Sequence, residues 1–348
     1  CQEETRTIKI TVQSAPGTTT GGGTTGGTTT GGTTGGTTYN TTTSNTGIYF
    51  ENGTCKCPNA SVGDTETING TTYTAVNNST IAGQISAGNV NLCTTLVTDM
   101  NRMFQRVTSF NSDISFWDTS NVTNMEQMFL EADFFNQPIG NWDTSKVTNM
   151  YGMFAGAGKF NQNIGGWNTS NVTNMKYMFH ITTFNQDIGN WNTSNVTNMS
   201  YMFDAAGSFN GNIGSWNTSN VINMEYMFKA AAVFNQDIGN WNTSNVTNMK
   251  GMFQIALNFN QDIGGWNTSN VTDISYMFES ASNFNQNIGS WNTSNVTKMN
   301  HMFNGASSFN QDLSGWCVTN FNSLPSIFSS SSALAESNKP IWGTCPGG

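Results

Sequence analysis

The chain has 348 residues, only 9% of them charged, with 36 glycines and a formal net charge of −9. That balance excludes the basic patches that nucleic acid or anionic lipid headgroups require. No apolar run approaches the roughly 20 residues of a membrane-spanning helix.

The sequence opens on Cys1, followed by Gln2-Glu3-Glu4. A mature chain that starts with Cys is what remains when a bacterial lipoprotein signal peptide is cut. Cys1 is therefore expected to be lipidated and to anchor the protein to the outer membrane, facing the cell exterior; two or more acyl chains hold stably. Residues 1–16 form an arm in which Ile8, Ile10 and Val12 alternate, a short strand that needs a partner edge. Residues 17–46 are almost only Thr and Gly and read as a linker.

Residues 47–96 read as an N-terminal cap module. Thr67 to Val76 is a hairpin pattern, with Asn69-Gly70 supplying a type I′ turn. Ser79 to Ala87 is expected to be helical, with Ile81 and Ile85 four apart. The chain has 6 cysteines, and all flank the regular repeats. Such a distribution suits disulfides in an oxidising compartment. Cys55-Lys56-Cys57 is too closely spaced for a zinc knuckle. Cys57–Cys93 is the preferred pair and Cys55–Cys93 its rival; either leaves an odd thiol.

Residues 97–328 are one stretch written out many times. Its tryptophan recurs at Trp117, Trp142, Trp167, Trp191, Trp216, Trp241, Trp266, Trp291 and Trp316, in steps of 25 residues with a single step of 24. A fixed period in the twenties with apolar residues in phase is a solenoid signature. In the copy at 184–208, Thr193-Ser194-Asn195 reads as a helix N-cap and Val196, Met199, Met202 and Phe203 as one helical face. Gln186-Asp187-Ile188-Gly189 reads as a strand. The expected fold is an α/β solenoid: a curved, leucine-rich-repeat-like array of about nine 25-residue strand-turn-helix repeats, strands on the concave side, with N- and C-terminal caps.

The core positions of that copy are Phe184, Ile188, Trp191, Val196, Met199, Met202 and Phe203. Residues between the two Met vary, as in Lys176-Tyr177, Glu225-Tyr226 and Asn300-His301, and are expected on the outer face. The Asn after the loop Phe (Asn111, Asn136, Asn185 and so on) is expected to be buried and to hydrogen-bond the next turn. Phe321, Leu324, Ile327 and Phe328 continue the phase. Residues 329–348 are a C-terminal cap, with Cys317–Cys345 folding the tail over the last layer.

No catalytic constellation is present, so the chain reads as a non-enzyme without cofactor or metal. His180 and His301 lie in different repeats and form no set with a nucleophile. Asp113, Asp187, Asp237, Asp262 and Asp312 share one position, but one carboxylate per turn falls short of the six to eight oxygens that calcium wants.

The motif Trp-Asp/Asn-Thr-Ser-Asn-Val-Thr-Asn-Met-x-x-Met-Phe, seen at 117–129 and with small changes through 291–303, resembles that of the BspA-like leucine-rich-repeat surface proteins of Bacteroidetes. The stretch Gly63-Asp64-Thr65 through Val97-Thr98-Asp99-Met100 resembles the module that precedes such arrays. Glu3-Glu4 resembles the acidic tag that sends lipoproteins of such bacteria to the surface. The resemblance implies a surface or secreted protein binding protein or glycan ligands in adhesion. The alternative is an accessory lipoprotein subunit of an outer-membrane β-barrel complex, docked through the 1–46 arm. Lys146 in place of Asn, Ile222 in place of Thr, and Asp273-Ile274 in place of Asn-Met depart from the pattern.

Overall fold

The structure is a computed structural model that describes residues 46–346. Cys1, the alternating arm and most of the Thr/Gly tract lie outside the described residues.

The N-terminal module is built from conventional elements. β1 (Tyr49–Glu51) and β2 (Thr54–Lys56) form a hairpin whose turn residues Asn52 and Gly53 both have positive φ, 51° and 83°. β3 (Thr65–Ile68) and β4 (Thr71–Asn77) form a second hairpin, turned by Asn69 and Gly70 at φ 51° and 82°. Positive φ at both central residues is the type I′ turn, the geometry that Asn-Gly favours. α1 (Ile81–Ser86) then buries Ile81 and Ile85 and leads to β5 (Leu92–Leu96), which pairs parallel to β4. The first hairpin had the same Asn-Gly signal as the second, at Asn52-Gly53, although only the second was expected.

The repeats fold differently from expectation. No helix or multi-residue strand occurs between Val97 and Phe328. Where a helix was expected, the backbone is a ribbon of successive tight turns. Alternate N–H groups leave the coil: Met199, Tyr201, Phe203 and Ala205 donate to the carbonyls of Asn223, Glu225, Met227 and Lys229 in the next coil at 2.7–3.1 Å. The intervening Met202, Asp204 and Ala206 donate three residues back. Tyr201 and Ala205 have φ of 59° and 56°, and the coil before has Tyr177 and Ile181 in the same state. The third residue of a type II turn requires that region. Asn198 and its counterparts make single parallel bridges from Asp99 to Lys298.

Coil spacing explains why helices are absent. Stacked Phe rings from Phe129 to Phe303 step by 5.6–5.8 Å. Helices pack at roughly 8–10 Å between axes, so a helix in every coil cannot fit this step. Laterally hydrogen-bonded turns can. The Trp rings from Trp142 to Trp316 step by 6.4–6.5 Å. The array therefore bends gently toward the Met-Phe ribbon and away from the tryptophans. This reverses the expected arrangement: the ribbon is the inner side, and Gln186-Asp187-Ile188-Gly189, which forms no strand, belongs to the wider side.

Each recurring residue has a column of its own. From Val122 to Trp316 the expected inward set, loop Phe included, is buried in every coil, together with an Ala after the ribbon in most of them (Ala206, Ala231, Ala256); in the first coil Met103 is only half-buried. Burying tryptophan leaves its indole N–H needing a partner: Trp117 donates to the Val90 carbonyl of the N-terminal module, and each later one finds a carbonyl in the preceding coil, Trp216 Nε1 donating to the Ile188 oxygen at 3.1 Å and Trp241 to Ile213 at 3.1 Å. Thr193, Thr218 and Thr243 are buried and donate forward to the carbonyls of Asn217, Asn242 and Asn267. The Asn ladder also forms, with Asn210 Oδ1 accepting the Asn235 N–H and Asn235 Oδ1 the Asn260 N–H, both at 2.9 Å. These asparagines are half-buried or exposed, not buried as expected. Asn195, read as part of a helix N-cap, instead donates to the Ser170 carbonyl of the preceding coil.

Asp187, Asp237 and Asp262 turn the chain. Their Oδ1 atoms accept the N–H of Gly189, Gly239 and Gly264 at 2.9 Å. Asn212 does the same for Gly214, which is why Asp and Asn interchange there. Glycine is required because the coils nearly touch: a Cβ on Gly239 would sit 2.6 Å from the Asp262 carbonyl oxygen. The short repeat loses its residue in the loop, where Thr182 is buried and its hydroxyl donates to the Phe179 carbonyl.

At the end of the array the phase slips by one residue. His301 and Phe303 donate to Ser326 and Phe328, 25 residues on, where Tyr276 and Phe278 reach Asn300 and Met302, 24 residues on. Pro325 and Phe328 are thus buried, whereas Leu324 and Ile327, expected in the core, are 51% and 46% exposed. The tail packs Trp342 edge-on against Phe328, 5.1 Å between centroids, and is tied down by Cys317–Cys345.

Candidate functional site

Of the cysteines expected to pair, Cys57 is bonded to Cys93 and Cys317 to Cys345. Cys55 is the odd thiol; burial, with the Asp118 charge adding to it, pushes its pKa up to about 12 and keeps it protonated. Asp118 joins the N-terminal module to the first coil. It is 2% exposed, takes Lys56 Nζ at 3.0 Å and the Thr95 hydroxyl at 2.7 Å, and is further held by Ser120. Burial alone would raise its pKa, but these hydrogen bonds outweigh burial and hold it below the usual value. These are structural groups, and among the described residues no cluster of three or more His, Cys, Asp or Glu could hold a metal ion.

The surface with the most chemical variety is the outer side of the turn ribbon. Inward residues there are nearly invariant; outward ones change from coil to coil. The left-handed position holds Gln127, Gly152, Tyr177, Tyr201, Tyr226, Gly251, Tyr276 and His301 in turn. A bulky residue there costs on the order of 1–3 kcal/mol, and ring stacking along the column offsets part of that. Tyr177 and Tyr201 stack at 4.5 Å, Tyr201 and Tyr226 approach to 5.0 Å, and Tyr276 stacks on His301 at 4.8 Å. Gly251 leaves room for the Tyr226 ring: a Cβ there would lie 2.1 Å from that ring.

Cations flank the rings. Lys176 Nζ lies 5.1 Å from the Tyr177 centroid and 5.8 Å from that of Tyr201; Lys229 and Lys250 lie 5.3 and 5.2 Å from Tyr226. Lys250 also pairs with Glu225 at 3.4 Å. Burial opposes its charge, but Tyr226 and Glu225 outweigh burial and raise its pKa, so it stays protonated. Burial, reinforced by neighbouring carboxylates and phenols, raises the pKa of Tyr201. The Tyr177, Tyr201 and Tyr226 phenols are hydrogen-bonding groups, not anions. His180 Nδ1 lies 3.1 Å from Asp204 and His301 Nδ1 3.6 Å from Glu279, neither aligned as a hydrogen bond. The strip thus offers phenol hydroxyls, ammonium groups and carboxylates in a fixed row. Tyr–Lys alternation in the sequence was the available signal for it, but its inner-side position follows only from the coil spacing.

Such a stack of coils, each burying one layer of a continuous aromatic core, defines a solenoid repeat protein. A family model described as "Mycoplasma protein of unknown function, DUF285" matches residues 73–183, 179–272 and 256–343. The chain belongs to that family. No curated protein matches it. Among solved structures it is similar to the chain of "Crystal structure of TLR13-ssRNA13 complex", with a TM-score of 0.26, 10% identity, and coverage of 75% of this chain and 50% of that one. A similarity at that level supports no functional argument, and the match spans only half of the other chain.

Proposed function

We propose that the protein is a non-enzymatic cell-surface binding protein, resembling the BspA-like adhesins, whose ligand lies along the inner strip of the turn ribbon. The observation that carries this is the contrast within each coil. Columns of Met, Phe, Trp and Asn repeat almost without change, while the outward ribbon positions vary and gather Tyr, Lys, Glu and His. Residues held on a rigid frame yet free to vary are where binding chemistry resides. A protein or glycan ligand suits hydroxyl, ammonium and carboxylate groups in a half-buried row, and tyrosine supplies contact area at low entropic cost.

Two disulfides support a site of action outside the reducing cytoplasm. Anchoring through lipid on Cys1 belongs to the same proposal, and metabolic labelling with a fatty-acid analogue tests it: a Cys1→Ser chain should lose the label and leave the membrane fraction. The binding role is tested by combining Tyr177→Ala, Tyr201→Ala and Tyr226→Ala, which should abolish binding to glycan and matrix-protein arrays while thermal unfolding stays cooperative. Unchanged binding by the triple variant would refute the strip. Stoichiometric co-purification with an outer-membrane β-barrel protein would favour the complex-subunit role instead.

A further inference from the structure

A second surface lies beside the strip, across the Asn198 column, and stands on its own observations. Each coil there turns an Asn and a Thr outward on either side of an inward Val, as in Asn195-Val196-Thr197. In the middle of the array these two columns wall a shallow trough of about 510 Å³, lined by Asn195, Thr197, Asn220, Ile222, Asn245 and Thr247.

The hydrogen bonds of the walls determine what the trough can take. Asn195, Asn220 and Asn245 each spend an Nδ2 hydrogen on the Ser carbonyl of the preceding coil, at 2.6–2.7 Å. Thr197 and Thr247 spend their only hydroxyl hydrogen in the same way, on the carbonyls of Thr173 and Ile222. The Asn Oδ1 and Thr Oγ1 atoms remain as acceptors. Each such Asn-Thr coil therefore shows two open oxygens against one residual amide hydrogen, and the Asn220 coil between them shows one. An acceptor-rich row of this kind calls for a donor-rich chain. Ile222, 50% exposed where the neighbouring coils have Thr, adds an apolar step along the trough.

The chain itself shows which donor fits. Lys146 stands where the column otherwise has Asn, and its ammonium rests on Asn121 Oδ1 of the preceding coil at 2.7 Å. The open oxygen of this column thus takes an ammonium group, and the net charge of −9 favours a cationic partner over a neutral one. We infer that the Asn/Thr trough binds a linear polyamine, with one ammonium per coil and its methylenes over Ile222.

Native residues supply safe variants for the test. Asn220→Lys with Asn245→Lys copies Lys146 and fills the trough with tethered ammonium groups. Asn258→Lys with Asn283→Lys copies Lys159 on an exposed loop column and adds the same charge away from the trough. Titration calorimetry on the full chain at low salt would use spermine and a linear oligolysine as probes. The expected result is saturable binding that weakens by about tenfold or more in the trough variant and much less in the loop variant, with both melting like the parent. Saturable binding of spermine upholds the inference; binding of oligolysine alone overturns it in favour of a peptide. Absence of saturable spermine binding, equal weakening in both variants, or a neutral linear oligosaccharide whose binding is lost only in the trough variant would overturn it.

Discussion

The N-terminal module and the repeat array reach a buried core by opposite routes. The module, at 47–96, uses five short strands, one short helix and a disulfide, and reaches the first coil through a single ion pair from Lys56 to Asp118. From 97 to 328 the array uses almost no regular secondary structure and repeats every contact. Backbone N–H groups there are satisfied by the neighbouring coil and by Asn side-chain oxygens, and backbone carbonyls also by Asn, Thr and Trp side-chain donors. The lesson is that a chain can saturate its buried polar groups without helices or sheets when each coil supplies partners for its neighbour. Loss of one contact should therefore act locally in the module and propagate in the array.

The largest effect is expected at the centre of the array. Trp216→Ala removes a ring stacked between Trp191 and Trp241 and leaves the Ile188 carbonyl without its indole partner. It should cost about 3–5 kcal/mol, and urea unfolding followed by two probes should separate into N- and C-terminal halves. A single undisturbed transition would show that the columns are less coupled than their geometry implies.

Removing the module's staple comes next. Cys57→Ser with Cys93→Ser opens a loop of 36 residues and should cost about 3–4 kcal/mol. The loss should confine faster hydrogen exchange to β2 and β5, with the distant coils protected as before.

Asp118 probes the junction between the two regions. Asp118→Asn weakens its pairing with Lys56 and should cost on the order of 1–3 kcal/mol. Its folded pKa is depressed, so its contribution is fully present above the unfolded carboxylate value and lost as pH falls through the lower folded value. The parent should lose stability in that acid window, and the Asn variant should lack that part of the slope. Equal slopes would assign the acid sensitivity elsewhere.

The smallest effect is expected at one rung of the Asn ladder. Asn235→Ala removes the Oδ1 that accepts from Asn260 and Gln261. Because that rung is half-buried, water replaces much of it, and the cost should be about 1 kcal/mol or less. Calorimetric melting of the single variant measures it, and Asn210→Ala with Asn235→Ala should cost more than the sum if neighbouring rungs cooperate.

Much of the architecture was legible because it is periodic. The tryptophan step, the inward positions, the Asn ladder, the Asn69-Gly70 turn, the α1 region and the preferred cysteine pair could all be read from residue spacing and type. The misreadings share one cause. Val196, Met199, Met202 and Phe203 have helical spacing, but that spacing reports which residues point inward, and a ribbon of turns with left-handed Tyr201 and Ala205 points the same residues inward. Leu324 and Ile327 failed for a related reason: one inserted residue shifts the register, and apolar identity alone cannot reveal the shift.

The sequence by itself determined that the chain is a capped solenoid with an aromatic and methionine interior, because a fixed period with invariant apolar phase has no other way to bury its surface. Tertiary structure alone decided what each coil is made of, which side is concave, and hence which variable residues form a strip. Those depend on the distance between coils, here under 6 Å along the ribbon's Phe129–Phe303 column. That distance is set by how neighbouring coils share hydrogen bonds and stack rings, which no single repeat encodes when read alone.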